Sequence, residues 1–429
     1  VVMSKLKGYL LMTVFVLLLA ACSANEGGSE GAASEGSDSE VEEQVELRIL
    51  NFRVEDKAYF DEVNAAFEEE HPNITLKYDA VPTADFPQLK TARMTTGDVD
   101  LIASSNESEI LNPEVRDQLA DLSGNEFLDR FNGDALEAGQ FDGKQFFIPI
   151  SATSNVTFYN KKIFAEHGLN VPETWDEFLE LNEALVEKGV DPIMFGGKDQ
   201  WPVNMIIAQL EASLIRPSGE NADYYEKMET EEVKYTDDQW VELFTKLKTL
   251  SQYFQKNYTG LDYGQAPGLF AQGRAAMMID GSWSLAQIED ANPDFETGAF
   301  LLPGSNDPTD NQTATTKYGF GWMVNKNSPN IEAAIKYLDF LTMKENYQKY
   351  NDMVRMLPTI EGVSSDSPII KEVTATLENQ MPNFESLLTP GADYKFQQFA
   401  MQMFLDELTP EEVTERVQET YIDSKPEWK

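Results

Sequence analysis

One cysteine and two histidines are all that this chain of 429 residues offers in thiol and imidazole groups. An intrachain disulfide is therefore impossible. His71 and His167 lie far apart and lack ligand-spaced partners, so no zinc-type Cys/His cluster can be written from the sequence. Basic residues are scarce too: 33 Lys and Arg stand against 74 Asp and Glu, a formal charge of -41. Neutralising a phosphate backbone needs clustered Lys and Arg, which argues against a nucleic-acid partner. An acid excess of this kind reads as a solvated surface, and a salty or alkaline exterior is one setting that suits it. The apolar run at residues 9–21, broken only by Thr13, falls short of the roughly 20 residues of a membrane span.

What is present is enough for a packed body. Hydrophobic residues make up 41% and aromatics 11%, which excludes a disordered chain despite the charge. The length fits two or three domains, or one large two-lobed unit. At the start, Lys5 and Lys7 precede the apolar run, which ends in Leu19-Ala20-Ala21-Cys22. That ending resembles the lipobox of bacterial lipoproteins, so residues 1–22 are expected to be a signal peptide, with Cys22 the lipidated residue and the membrane met only through its lipid. Residues 23–44 are mostly Ser, Gly, Ala and Glu and cannot bury a core; they read as a flexible acidic tether. Gly27-Gly28-Ser29-Glu30-Gly31 matches the G-x-S-x-G nucleophile pattern, but no strand-turn-helix surrounds it, so the match is chance.

From residue 45 the pattern alternates. Val45, Leu47 and Ile49 alternate with Glu46 and Arg48 as in a strand, and Tyr59, Phe60, Val63, Ala66 and Phe67 repeat at helical spacing up to His71-Pro72. Residues 74–81 alternate again, a helix runs from about Asp85 to Gly97, and residues 99–103 read as a strand. This β-α-β-α-β order predicts a parallel α/β sheet, with ligand sites in the loops that follow its strands: residues 51–53 and 104–106. Thr174 and Glu177 are spaced as a capping box for a helix burying Phe178, Leu181 and Leu185. Residues 275–280 and 319–324 are strand-like, a short helix ends at Gly273, and residues 331–341 form an amphipathic helix.

Four segments carry a family resemblance. Tyr159-Asn160-Lys161-Lys162-Ile163-Phe164, with Gly168-Leu169 and Pro172-Glu173-Thr174-Trp175, is similar to family 1 extracellular solute-binding proteins. So are Phe270-Ala271-Gln272-Gly273-Arg274-Ala275-Ala276-Met277-Met278 running into Asp280-Gly281-Ser282-Trp283, and Gly321-Trp322-Met323-Val324-Asn325 with the helix after it. The fourth is the stretch from Phe67-Glu68 to Gly97-Asp98-Val99-Asp100. The resemblance implies a two-lobed, periplasmic-binding-protein-like (type II) α/β fold with a hinge of crossing strands near residues 151–156, 302–303 and 351–358. Lobe 1 is then residues 45–152 and 303–352, and lobe 2 residues 153–302 and 353–429. It also implies a monomeric receptor on the outer face of the cell membrane that passes a carbohydrate to the permease subunits of an ABC importer, without enzymatic activity or a cofactor.

Sugars present apolar C–H faces and hydroxyl edges, so a binder needs flat rings and a few fixed polar groups. Trp283 is the first choice for a stacking ring, since the resemblance puts a cleft Trp at this motif position; Gly281 before it leaves room for a close approach. Trp201, next to Pro202, reads either as a second ring or as packing. Trp322 inside a strand and Trp175 in a first helical turn read as core. Asp280, Asn51, Arg53, Ser105, Asn106 and Thr153 are candidate hydroxyl partners, and Arg355 a candidate clamp for a hydroxyl or carboxylate. Thr153 stands where the maltose-binding members carry an acid, which leaves maltose itself in doubt. Asp307 and Asp310 sit in a polar run without the calcium-loop pattern, so a solvated loop is expected there. The alternatives are a lipid-anchored polysaccharide hydrolase, or the same receptor with a polyol, uronide or peptide ligand.

Overall fold

The computed structural model describes residues 43–424 apart from 84, 218–222, 366, 377–378 and 384–391. Cys22 and nearly all of the expected tether lie outside the described residues. β1 (Val45–Asn51), β2 (Ile74–Ala80) and β3 (Leu101–Ser104) pair in parallel, β1 in the middle, with the helices Lys57–Glu70 and Phe86–Thr96 as the crossovers. β4 (Gln140–Phe141) and β5 (Lys144–Gln145) form a small hairpin. β6 (Ile148–Asn160) then runs for 13 residues, nearly all buried.

The remaining strands gather on β6. β7 (Ile193–Met194) and β8 (Met277–Gly281) are parallel to each other, and β8 runs antiparallel to residues 155–159 of β6. β9 (Thr297–Phe300) also runs antiparallel to residues 157–160 of β6. β10 (Ala314–Val324) pairs with the first half of β6 and with β3, antiparallel to both. β11 (Leu357–Pro358) pairs with Ser151 and Ala152 of β6, and β12 (Gln380–Pro382) lies parallel to the start of β10. The parallel expectation holds for β1 to β3, but the sheet as a whole is mixed, because β10 returns in the opposite direction. Among the described residues no helix is long and apolar enough to cross a membrane.

Burial divides along β6. Ile148 and Ile150 belong to a first core with Leu47, Ile49, Phe60, Phe67, Phe320 and Trp322. Val156 and Phe158 belong to a core with Met278, Leu285 and Ile369, beside a larger cluster built on Phe178, Ile206, Trp240 and Phe244. The first core reaches beyond residue 352, because the helix Lys344–Val354 and the turn after it go on burying Val354, Met356, Ile360 and Val363 there. Thr174 caps its helix as expected, accepting from the Glu177 N–H at 3.3 Å. The Glu177 carboxylate, however, accepts from the Glu173 N–H rather than from Thr174.

One buried side chain pins the start of β6 to the segment that follows the helix Lys344–Val354. The Tyr347 hydroxyl donates to the Ile150 carbonyl at 2.5 Å and accepts from the Thr359 N–H at 2.8 Å, while Thr359 Oγ1 donates to the Pro149 carbonyl at 2.7 Å. Tyr347→Phe removes the hydroxyl and leaves the buried Thr359 N–H short of a partner, while the Ile150 carbonyl keeps only the longer bond from Thr359 Oγ1 at 3.2 Å. It is expected to lower the unfolding free energy by about 1–3 kcal/mol, read as a drop in the urea midpoint at unchanged slope.

Candidate ligand-binding site

β8 is fully buried and ends at Asp280 and Gly281, where the chain turns through a short 3-10 segment, Ser282–Ser284, into the helix Leu285–Asp290. The Asp280 carboxyl accepts from Ser284 Oγ at 2.6 Å, from the Gly281 N–H at 2.7 Å and from the Tyr263 hydroxyl at 3.0 Å. Gly281 has a φ of -94°, open to any residue. What demands glycine there is Trp283, whose ring atoms lie 2.0–2.3 Å from the place of a Cβ. The gap expected to admit a ligand is thus filled by the indole of Trp283 folding back over its own backbone.

Trp283 donates from Nε1 to the Tyr263 hydroxyl at 2.6 Å. Trp201 closes the group, with its ring centroid 4.3 Å from Tyr263 and 6.3 Å from Trp283. Its placement is strained: Gln200 sits at φ 63°, ψ -48°, and the Trp201 N–H donates to the Asp199 carbonyl at 2.7 Å. This is the rare γ-turn of positive φ, a conformation that persists where surrounding structure over-determines it. The surroundings here are the Tyr263 loop. Asp199 Oδ2 accepts from the Tyr263 N–H at 2.7 Å, and a Cβ on Gly196 would come within 2.6 Å of the Tyr263 Cα. Trp283 is partly exposed and also packs against the first core, so this cluster on the second set of strands touches the other half of the molecule.

The electrostatics of the cluster follow from burial. Desolvation pushes the Asp280 carboxyl up to about 7, against the pull of Ser284, the Gly281 N–H and Tyr263. Burial, together with the Asp280 charge, holds the Tyr263 hydroxyl well above its ordinary value, so it stays a donor.

The other predicted residues fall into separate groups. Asn51 is buried at the end of β1, donating to the Tyr78 hydroxyl at 2.8 Å and accepting from the Arg53 N–H at 3.0 Å. Arg53 is buried and closes bidentately on Asp56, which also accepts from the Tyr350 hydroxyl at 2.9 Å. Ser105 is exposed after β3, and Asn106 caps the next turn by accepting from the Ser108 N–H at 3.0 Å. Thr153 is buried in β6 and donates to the Lys317 carbonyl at 3.2 Å. Arg355 lies at the end of its helix with φ 50° and reaches Glu289 at 3.0 Å and Asp290 at 2.9 Å. Trp322 and Trp175 are buried in the cores, as read from sequence. Asp307 and Asp310 spend oxygens on local turns, accepting from the Thr309 N–H and from Ser305 Oγ. Among the described residues no group of three or more His, Cys, Asp or Glu is placed to hold a metal. Tyr263, which ties the cluster together, was not singled out from the sequence. It opens a single 3-10 turn, Tyr263–Gln265, too short for a helical or strand period to mark a residue.

The comparisons with known proteins agree with this architecture. The family model described as bacterial extracellular solute-binding protein matches residues 53–348. The multiple sugar-binding protein of Streptococcus mutans is 28% identical over 355 residues, 82% of this chain and 81% of that one. The melibiose/raffinose/stachyose-binding protein MelE of Bacillus subtilis is 21% identical over 425 residues, covering 96% and 95%. Among solved structures, a chitin oligosaccharide binding protein superposes with a TM-score of 0.79 at 25% identity, covering 89% of this chain and 99% of that one. The solute-binding protein RafE in complex with raffinose gives 0.76 at 25%, covering 90% and 100%. The fold is the two-lobed type II fold of these binding proteins.

Because the folded Asp280 value lies above the ordinary 3.8, the folded protein holds a proton that the unfolded chain has already released. The stability this group contributes is full below about pH 4 and is lost as pH rises through 7. Asp280→Asn removes that loss, so its stability relative to the parent should rise between pH 4 and 8 by up to about 4 kcal/mol, measured by urea unfolding across pH. Separately, Gln200→Gly relieves the γ-turn and should raise the unfolding free energy by about 1 kcal/mol.

Proposed function

The chain belongs to the bacterial extracellular solute-binding proteins, and on that footing we propose that it is the receptor of an ABC importer that captures an uncharged oligosaccharide between two lobes. The observation that carries the reading is the cluster of Trp201, Tyr263 and Trp283 around the end of β8, reaching across to the first core. Flat rings set beside fixed hydroxyl and carboxyl groups are what a pyranose face and its hydroxyl edge require. The loops after β1 and β3 supply the opposing wall, with Ser105 exposed there. Closure is biased by a ligand that touches both walls only when they meet.

The preference for an uncharged cargo rests on the two arginines. Arg53 is spent on Asp56, and Arg355 on Glu289 and Asp290, so neither guanidinium is left to pair with a uronate or a peptide carboxylate. A hydrolase would need two carboxyls facing one scissile bond. The oxygens of Asp280 are instead engaged by Ser284, Tyr263 and the Gly281 N–H. The hinge uses residues 151–156, 302–303 and a third crossing that lies beyond Val363 rather than at 351–358, because the first core still buries Val354, Met356, Ile360 and Val363; lobe 1 then takes residues 45–152 and 303–363, and lobe 2 the remainder. Lipid attachment at Cys22, tethering through residues 23–44 and delivery to permease subunits complete the proposal, with the receptor a monomer outside the membrane.

The test is a thermal-shift screen of the purified protein against raffinose, stachyose, maltotriose, chitin oligosaccharides, oligogalacturonate and peptides. A sugar at 100 times its dissociation constant adds about 2.7 kcal/mol and moves the melting temperature visibly. A shift with an uncharged oligosaccharide that is recovered intact is the expected result. A shift only with oligogalacturonate or peptide, or consumption of the sugar, would overturn it. In calorimetry with the responding sugar, Trp283→Ala should weaken binding at least tenfold while the protein stays folded, and an unchanged affinity would remove Trp283 from the site.

A further inference from the structure

Tyr263 holds more of the aromatic cluster than any residue singled out from the sequence. Its hydroxyl accepts from Trp283 Nε1 at 2.6 Å, donates to Asp280 at 3.0 Å and lies 2.9 Å from Ser284 Oγ. Its ring meets Trp201 edge-on at 4.3 Å, and its N–H is held by Asp199. A tryptophan on a short turn has two free side-chain torsions, and a ligand that had to fix them on binding would lose affinity to the ordering. Here the indole is fixed beforehand: its plane lies on the Gly281 backbone, and its N–H is held by one hydroxyl. We propose that Tyr263 is a positioning residue for ligand binding, which locks the Trp283 indole beside Trp201 and couples it to the protonation of Asp280.

The direction of the hydrogen bonds makes the coupling specific. An indole N–H only donates, so Tyr263 must offer it a lone pair and turn its own proton elsewhere. An ionised Asp280 takes that proton; a neutral Asp280 has a proton of its own, and the Tyr263 and Ser284 hydroxyls must redistribute theirs. Among the described residues, what acts on the Asp280 carboxyl is burial, Ser284, the Gly281 N–H and Tyr263. Opposite it on β6 stands Val156, and the neighbouring β7 ends at Met194. The ionisable groups of the surrounding loops are Tyr263 itself, Asp199 on the Tyr263 N–H, and Lys198 paired with Asp262. Asp280 carries a raised pKa, near neutrality, so the switch falls in an accessible range.

This inference rests on the ligand site proposed above, and its test separates the two. The protein is labelled with 5-fluorotryptophan, and among its six tryptophans the Trp283 resonance is assigned with Trp283→Phe. In the unliganded parent that resonance should be single and should move with pH through a midpoint near 7. Tyr263→Phe should cut the amplitude of the movement by more than half, broaden the line, and weaken binding of the responding sugar, with raffinose the first probe, about tenfold. A Trp283 resonance that titrates unchanged in Tyr263→Phe, or an affinity within twofold of the parent, would overturn the proposal. Should Tyr263→Phe fail to fold, Asp280→Asn decides: a flat Trp283 resonance supports the coupling and a persistent titration refutes it. If no sugar binds the parent, the carbohydrate reading falls, and the fluorine measurement still judges the Tyr263 lock.

Discussion

Two of the three hydrophobic cores among the described residues are built on one strand. β6 gives Ile148 and Ile150 to one core and Val156 and Phe158 to another, and it pairs with β10 and β11 along its first half and with β8 and β9 along its second. Neither half can slip in register without moving the other, because a one-residue slip turns every side chain to the wrong face. The neighbours are cut to fit. On β10 a Cβ at Gly321 would stand 2.2 Å from the Phe147 ring, and one at Gly319 would stand 2.9 Å from Thr153. The register of β10 against β6 also shifts between Lys317 and Phe320 and again between Phe320 and Gly321, where the strand enters the first core. A long strand shared by two cores, with an irregular partner beside it, ties the two lobes of the fold to one element.

The cluster at the end of β8 draws on that rigidity. It holds three costly features: a buried carboxyl, a γ-turn at Gln200 and an indole folded onto glycine backbone. Each is tolerated because its neighbours leave no alternative. Asp280 is satisfied by three donors, and the Gln200 turn is held by Asp199 and the Tyr263 loop. A receptor gains from such an arrangement, since groups ordered in advance need not be ordered by the ligand. Strain and desolvation at a surface-reaching site, supplied by a well-packed interior, are the pattern expected of a binding site rather than of a core.

Much of this was legible in the sequence where one period dominated. The alternation from Val45 gave β1, the helical spacing of Tyr59, Phe60, Val63 and Phe67 gave the first helix, and Gly97 marked the end of the second. β6 was not legible as a single strand, because it is buried on both faces and shows no alternation, only a run of small polar and apolar residues. Trp283 and Trp201 could be named from motif and composition, and they do share one cluster. Their common partner could not: Tyr263 lies 20 residues from Trp283, and only the close packing of its loop on Gly196 brings it there. Arg53 and Arg355 show the converse limit. Sequence gives the guanidinium, but not the carboxylates at Asp56, Glu289 and Asp290 that occupy it.

The acid excess takes on a clearer meaning once the cations are located. Arg48, Arg53, Arg93, Arg130, Arg216 and Arg355 each close on a carboxylate within the fold. Six arginines are thus spent on ion pairs, and the acids remain in large excess over the sequence as a whole. The field of such an excess repels anions at long range and is screened over about 10 Å at 0.1 M salt. An uncharged sugar feels neither effect. On the proposed reading its encounter with the cleft is indifferent to ionic strength, and its affinity rests on ring contact and on hydrogen bonds to groups already in place. The surface can therefore be as acidic as its surroundings require without altering what the site selects, and this separation between outer charge and inner recognition is what an uncharged cargo permits.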